Sequence, residues 1–460
     1  MKMRKGLLFM FVAIMVFTLA ACSGNGAPTP PNTGNNQSNT PDNATPAPEN
    51  DGADDPVVQD KEPVTLTVGT FGDDAEKAAM NGWFDEYKKT HPYVTFKLIA
   101  LEGNPAATAV TMAAAGNMPD VIWVYDGYVK TMYEQGLLAP LDEGFQRLGV
   151  DMNDIPEGMM SYGHIEGKYY FAPRDHSQLM VVVNKTLLEQ EGIPMPQNGW
   201  SWDEFVDTVK ATTKKDESGQ TTQFGVRLNL AWLPSIESYA LGRGGEYLNK
   251  ETLQVSFSDP KVVAGLKDAA DLIKEGYADN PWVTYPEDFW ATGKMAMAIH
   301  VRPGIPTWAN AAKAKGFEWD VVSFPKLPER EAIGSGTSGY AANAASKVKD
   351  EAVDFVASLM LPAEHKAFGV AGGTAVPILK SLQSDDYWRK GIVEGKNTDA
   401  FVYNVDKTVG RDTDVLLKAE AGQKVESEIS EALKKYVTNE TSLEDALKKA
   451  DEVINGTQGK

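Results

Sequence analysis

Two short stretches carry side chains suited to gripping a polyhydroxylated ring, Phe71-Gly72-Asp73-Asp74 and Tyr125-Asp126-Gly127. An aromatic face stacks on the C–H face of such a ring, and a carboxylate accepts charge-assisted hydrogen bonds from its hydroxyls. Phe71 with Asp73, and Tyr125 with Asp126, each supply that pair. A competing reading makes Tyr125 a core residue and Asp126 a helix cap. Further along, Trp232 follows a strand ending near Leu228, and Arg302 and Trp308 follow an apolar run from Met295 to Val301.

Bond-breaking chemistry finds less support. The five histidines, His91, His164, His176, His300 and His365, are scattered, and none forms an H-E-x-x-H pair or joins a cysteine cluster, so no metal site is expected. There is no G-x-S-x-G elbow, and carboxylates are too numerous for any two to be nominated as a glycosidase pair. Gly334-Ser335-Gly336-Thr337-Ser338-Gly339 satisfies a dinucleotide-binding pattern. That fingerprint needs a strand before it and a helix opening on the glycines, whereas Pro325 and Pro328 precede it here. No catalytic residue and no cofactor is expected. A formal charge of −20 without a basic run argues against a nucleic-acid partner.

The elements that must position these residues alternate. Leu66–Val68 reads as a strand, Asp74–Lys89 as a helix with Trp83 and Tyr87 on its apolar side, and Val94–Ala100 as a second strand. A helical stretch near Ala106–Ala115 leads to the apolar strand Val121–Val124. Such alternation predicts an α/β fold with a parallel sheet, in which ligands bind beyond the carboxyl ends of the strands, where Phe71 and Tyr125 lie. Ser201-Trp202-Asp203-Glu204 is a capping box that starts a helix. Met295–Val301 and Trp319–Phe324 read as strands. Trp282 and Trp290 read as packing residues in or beside a helix that precedes the Gly293-Lys294 turn. Ser346 is expected to cap a helix that stops before Pro362, and Ser442 to open the last helix.

The N-terminus reads differently. Lys2, Arg4 and Lys5 precede an uncharged apolar run from Gly6 to Leu19, the plan of an export signal spanning 1–21. The run is shorter than the roughly 20 residues a membrane-spanning helix needs. Leu19-Ala20-Ala21-Cys22 resembles the lipobox of bacterial lipoproteins, which makes Cys22, the chain's one cysteine, the expected lipidation site. From there to residue 62 the sequence is mostly Pro, Asn, Thr, Gly and Asp and reads as a disordered tether. The remaining stretch exceeds what one core usually organises, so two lobes are expected.

Four motifs, in order, carry a family resemblance: Val182-Val183-Asn184-Lys185-Thr186-Leu187-Leu188 followed by Gly192-Ile193-Pro194, then Trp200–Phe205, then Phe289 with Gly293–Met297, then Ala342–Lys347 leading into Glu351-Ala352. This series resembles extracellular solute-binding proteins of the maltose-binding type, extracellular solute-binding protein family 1. The resemblance implies a periplasmic-binding-protein-like fold (type II), with hinge-linked lobes around a ligand cleft. Lobe 1 would hold 63–175 and 341–385, and lobe 2 would hold 176–340 and 386–460.

By the same analogy the chain crosses between lobes near Arg174–Met180, Thr337–Ala341 and Asp385–Asn397. Arg174, Asp175 and Tyr340 then sit beside the hinge, although charged hinge residues often serve local structure. Trp232, Arg302 and Trp308 fall where the family places its cleft wall. His300 and Arg302 stand where family members usually show small residues, which allows a uronate-containing sugar. The implied function is that of a lipid-anchored receptor that hands a carbohydrate, expected to be an oligosaccharide, to the permease subunits of an ABC importer. It would be a monomer on the outer face of the cytoplasmic membrane and not an enzyme. A secreted carbohydrate-active enzyme and a sensor or adhesion lipoprotein are the alternatives.

Overall fold

The computed structural model describes residues 61–459 apart from 73, 373 and 374. The signal segment, Cys22, the tether up to residue 60 and Asp73 lie outside the described residues. Strand β1 (Val64–Thr70) buries Leu66 and Val68 by simple alternation, helix α1 (Asp74–Tyr87) covers it with Met80, Trp83 and Phe84, and β2 (Val94–Ala100) pairs with β1 in parallel. Helix α2 (Pro105–Ala114) starts at Asn104, whose side chain accepts from the Ala107 N–H at 3.1 Å, with Pro105 in the first turn where its missing donor costs nothing. Strand β3 (Val121–Tyr125) returns parallel to β1.

The first sheet is completed by β4 (Leu138–Ala139) and by a strand from far along the chain. The remaining strands of the molecule's second sheet are β5 (Met180–Asn184), β6 (Thr221–Arg227), β7 (Met295–His300) and β8 (Trp319–Ser323), and β9 (Ser338–Asn343) is the late addition to the first. The order in sheet one is β2-β1-β3-β9-β4, with β9 antiparallel to β3 and also paired with Ala172-Pro173. In sheet two it is β8-β5-β7-β6, edged by Lys214-Lys215. Here β5 runs antiparallel to both neighbours, while β6 and β7 are parallel.

Each sheet organises its own core. Residues 66–172 and 340–382, with Val415, form one. Within it Trp83 stacks on Phe355 with centroids 3.9 Å apart and donates from its indole N–H to Ser358 at 2.9 Å. A second core gathers residues 179–333 and 417–454 on one face of sheet two, and a third covers the opposite face. Alternation along β5 feeds both: Val181 and Val183 enter the second core, Met180 and Val182 the third. Ile333-Gly334 pairs with Thr408-Val409 in parallel as a separate two-stranded ladder.

The capping box forms as read: Ser201 N–H donates to Glu204 at 2.7 Å, and Glu204 N–H donates back to the Ser201 hydroxyl at 3.2 Å. Two local expectations need correction. Ser346 does not cap the helix Lys349–Ser358; its hydroxyl donates to Asp120 at 2.7 Å, tying this turn to the residue just before β3. The segment holding Trp282 and Trp290 is turns, not helix, because Pro281 and Pro286 interrupt it and Asp288 accepts from the Trp290 N–H at 3.0 Å. Both tryptophans do pack: Trp290 is buried, and Trp282 donates to Ser430 at 3.0 Å.

Candidate functional site

The carboxyl ends of β1 and β3 open on a cavity of about 770 Å³. Phe71 and Tyr125 leave those strand ends and line it together with Trp123. The three rings form a shelf: Phe71 and Trp123 lie 5.2 Å apart by centroid, and Trp123 meets Tyr125 edge-on at 4.4 Å. Tyr125 is 43% exposed, which removes the core reading of this residue. Trp232, Val301 and Pro303 contribute from the part of the chain that builds sheet two.

Asp126 is only 5% exposed and is held from several sides. One oxygen accepts from the Thr337 N–H at 2.7 Å; the other accepts from the Gly127 N–H at 2.7 Å and from the Arg411 guanidinium at 3.1 Å. The capping reading does not hold: Asp126 is the first residue inside the short helical turn Asp126–Tyr128, whose N-cap is Tyr125 with no side-chain cap bond. Arg411 also pairs through Nε with Asp414 at 2.6 Å. Burial works against the Arg411 charge, but Asp414, Asp126, Glu237 and Glu426 outweigh it and hold its pKa above the ordinary guanidinium value. Burial pushes the Asp414 carboxyl up to about 7; Arg411 opposes this, while Asp126 and Glu426 add to it by repulsion.

Opposite lies Trp232, whose placement also depends on a carboxylate. The helix Leu233–Leu241 begins immediately after it, and Glu426 accepts from the Leu233 N–H at 2.8 Å, supplying the anionic partner a helix N-terminus favours. Gly336 runs between the two walls: a Cβ there would touch Asp126 at 3.4 Å and the Trp232 ring at 3.5 Å. The other glycines of the set-aside pattern serve close packing. A Cβ on Gly334 would lie 1.9 Å from the Pro234 carbonyl oxygen, and one on Gly339 2.1 Å from that of Ala172.

Arg174 and Asp175 line the cavity, with Arg174 bound to Glu76 and its Nε 3.5 Å from an Asp175 oxygen. Three expected residues are not brought to this surface. Tyr340 is fully buried against Trp83, with its hydroxyl donating to Glu76, so it supports a cleft residue from behind. Trp308 is 8% exposed and packs edge-on to Trp290 at 5.0 Å, its carbonyl accepting the Trp290 indole N–H at 3.0 Å. Arg302 is 1% exposed, beneath its cleft-lining neighbours Val301 and Pro303. Sequence reasoning missed Arg411, Asp414, Gln423 and Glu426, all of which line the cavity.

Comparison with known proteins fits this geometry. The family model described as bacterial extracellular solute-binding protein matches residues 82–395, more than half of the chain. Among solved structures, the sugar-binding protein MalE from Xanthomonas citri is similar at 16% identity and a TM-score of 0.71, covering 86% of this chain and 98% of that one. An ABC substrate-binding protein from Listeria monocytogenes, in complex with cycloalternan, is similar at 19% identity and 0.68, covering 86% and 100%. The GacH receptor of Streptomyces glaucescens, solved unliganded and with acarbose, is similar at 21% identity and 0.65, covering 87% and 99%. These neighbours share the two-lobed α/β fold of maltose-binding proteins. By its sequence match, supported by this fold, the chain belongs to the bacterial extracellular solute-binding protein family.

Proposed function

We propose that the protein is the carbohydrate receptor of an ABC importer, binding an oligosaccharide in the cleft and delivering it to permease subunits. The observation that carries this reading is the aromatic shelf of Phe71, Trp123 and Tyr125 beside the Asp126–Arg411 pair, with Trp232 across the cavity. Stacking rings next to fixed carboxylate and guanidinium groups suit a ligand with apolar ring faces and a hydroxyl rim. Similar structures hold cycloalternan, acarbose and maltotetraose, which supports the same ligand class.

A neutral sugar fits better than a uronate. The described lining carries Glu76, Asp126, Asp175, Asp414 and Glu426 against Arg174 and Arg411. Each guanidinium already faces two of those carboxylates. A ligand carboxylate would therefore meet net negative charge, and Arg302, which prompted the uronate reading, lies below the surface.

The lobes are placed at 63–175 with 341–385 and at 176–340 with 386–460, a division supported by the residues each core collects. Cys22 is placed as the lipid anchor and 22–62 as the tether, on the N-terminal sequence. This puts a monomeric receptor at the outer face of the cytoplasmic membrane, with the membrane and the permease as its partners.

Calorimetry with maltotetraose, cycloalternan, acarbose, matched uronides and peptides tests the reading. A saccharide should bind more tightly than millimolar, and more tightly than its uronide; failure of every saccharide ends the proposal. Recovery of unmodified sugar after long incubation is expected, and turnover would establish the carbohydrate-active enzyme instead. Solute uptake should fall on deletion, whereas unchanged uptake would favour a sensor or adhesion role.

A further inference from the structure

Arg302 follows β7 and is 1% exposed, yet among the described residues none of its three side-chain nitrogens has a hydrogen-bond partner. A buried charge without hydrogen bonds is rare in folded proteins and unfavourable, because lost hydration is not replaced. The Phe401 ring, 5.7 Å away, gives partial relief through its π face. Burial draws the Arg302 pKa down to about 10, and Asp175 is the charge that opposes the fall.

Asp175 is half-satisfied in turn. Its Oδ1 accepts from the Thr337 hydroxyl at 3.1 Å and the Ser177 hydroxyl at 3.4 Å. Its Oδ2 has the Arg174 Nε at 3.5 Å, and that nitrogen has no hydrogen-bond partner among the described residues. The two groups stand on different mechanical parts. Asp175 lies on the crossing between Ala172-Pro173, paired in sheet one, and β5 in sheet two. Arg302 follows the strand that pairs His300 with Met180, where that crossing ends. How the crossing bends therefore sets their separation.

We propose that Arg302 and Asp175 are two halves of a latch: bending of the crossing brings the carboxylate onto the guanidinium, and the closed cleft is stabilised by an ion pair absent from the arrangement described here. Asp175 borders the cavity but is only 4% exposed, so little water is available to its second oxygen and a guanidinium partner would replace hydration it has already lost. The inference rests on the hinged reading of the fold. It concerns the bare protein, so a failed saccharide screen leaves it standing.

The test uses the ligand-free full chain carrying Cys22→Ser, with spin labels at Lys97→Cys and Glu217→Cys, exposed positions in the two sheets' flanks. Dipolar distance measurements should give a major population and a shorter one. Arg302→Met and Asp175→Asn should each remove the shorter population, and the double variant should do no more than either. Arg302→Lys, which keeps the charge without the planar fork, should retain part of it. Arg302→Met should also raise the melting temperature by about 2 °C or more, since an unpaired buried charge is removed. A single population, a shorter population indifferent to both substitutions, or a lowered melting temperature for Arg302→Met would overturn the latch.

Discussion

Replacing His365 with glutamine should flatten part of the acid limb of the stability curve. His365 is buried, with Nδ1 3.0 Å from the Leu359 carbonyl and Nε2 3.0 Å from the Ile378 N–H. A carbonyl can only accept and an N–H can only donate, so the ring is neutral with its proton on Nδ1. Protonating Nε2 would eject the Ile378 bond. The consequence reaches the crossing, because the nearby Val376 carbonyl accepts the His176 N–H at 2.9 Å. Burial lowers the His365 pKa from 6.5 to about 4, more than the Leu359 bond and Asp175 restore.

The sign follows from proton counts. Below pH 6.5 the unfolded chain binds a proton at this site and the folded chain does not, so stability falls as pH falls, until about pH 4 where both are charged. At 1.36 kcal/mol per unit, the loss between pH 7 and pH 5 is about 2 kcal/mol and saturates near about 3 kcal/mol. Urea unfolding of both proteins at pH 7 and pH 5 gives the double difference, from which the variant's constant structural penalty and the other buried histidines cancel. Wild type should lose about 2 kcal/mol more than His365→Gln across that interval. Equal losses, or an NMR titration of His365 above pH 6, would refute the argument.

Asp126→Asn should weaken saccharide binding about tenfold or more, read by calorimetry, because Arg411 would lose one of its two carboxylates at the cavity wall. Trp232→Ala should cost about 1 kcal/mol or more of affinity if its ring stacks on the ligand. Trp308→Ala should instead lower stability by about 3–5 kcal/mol in denaturant titrations and leave affinity nearly unchanged, since its ring packs on Trp290. Cys22→Ser should release the protein from the membrane fraction, or leave it unprocessed, without altering sugar binding by the purified chain.

What the sequence disclosed was local. The alternation from β1 to β3 rests on periodicities of two and 3.6, and the capping box on residues three apart, so each could be read within a window of neighbours. Proline was also legible: Pro281 and Pro286 were signals against a helix before Gly293 that the apolar residues around them obscured. Ser346 had the chemistry of a cap, and a distant carboxylate, Asp120, took its hydroxyl instead.

The site is mostly non-local, and there the reading thinned. Tyr125 and Asp126 were found because strand ends in an α/β sheet predict where a ligand lies. Arg411 was not, because it meets Asp126 across 285 positions and nothing near Arg411 records that encounter. The available hint was charge, with Arg411 and Asp414 spaced to share a helical face in a segment bounded by Val409 and Val415. Trp308 and Tyr340 failed for the opposite reason. Position in a strand or helix near a cleft does not say which side a ring faces, and both rings face the core. Arg302 shows the limit most directly: sequence placed it beside the cavity, whereas it is buried with no hydrogen-bond partner among the described residues. The proposed pairing with Asp175 would supply, in a second arrangement of the molecule, the partner that Arg302 lacks in this one.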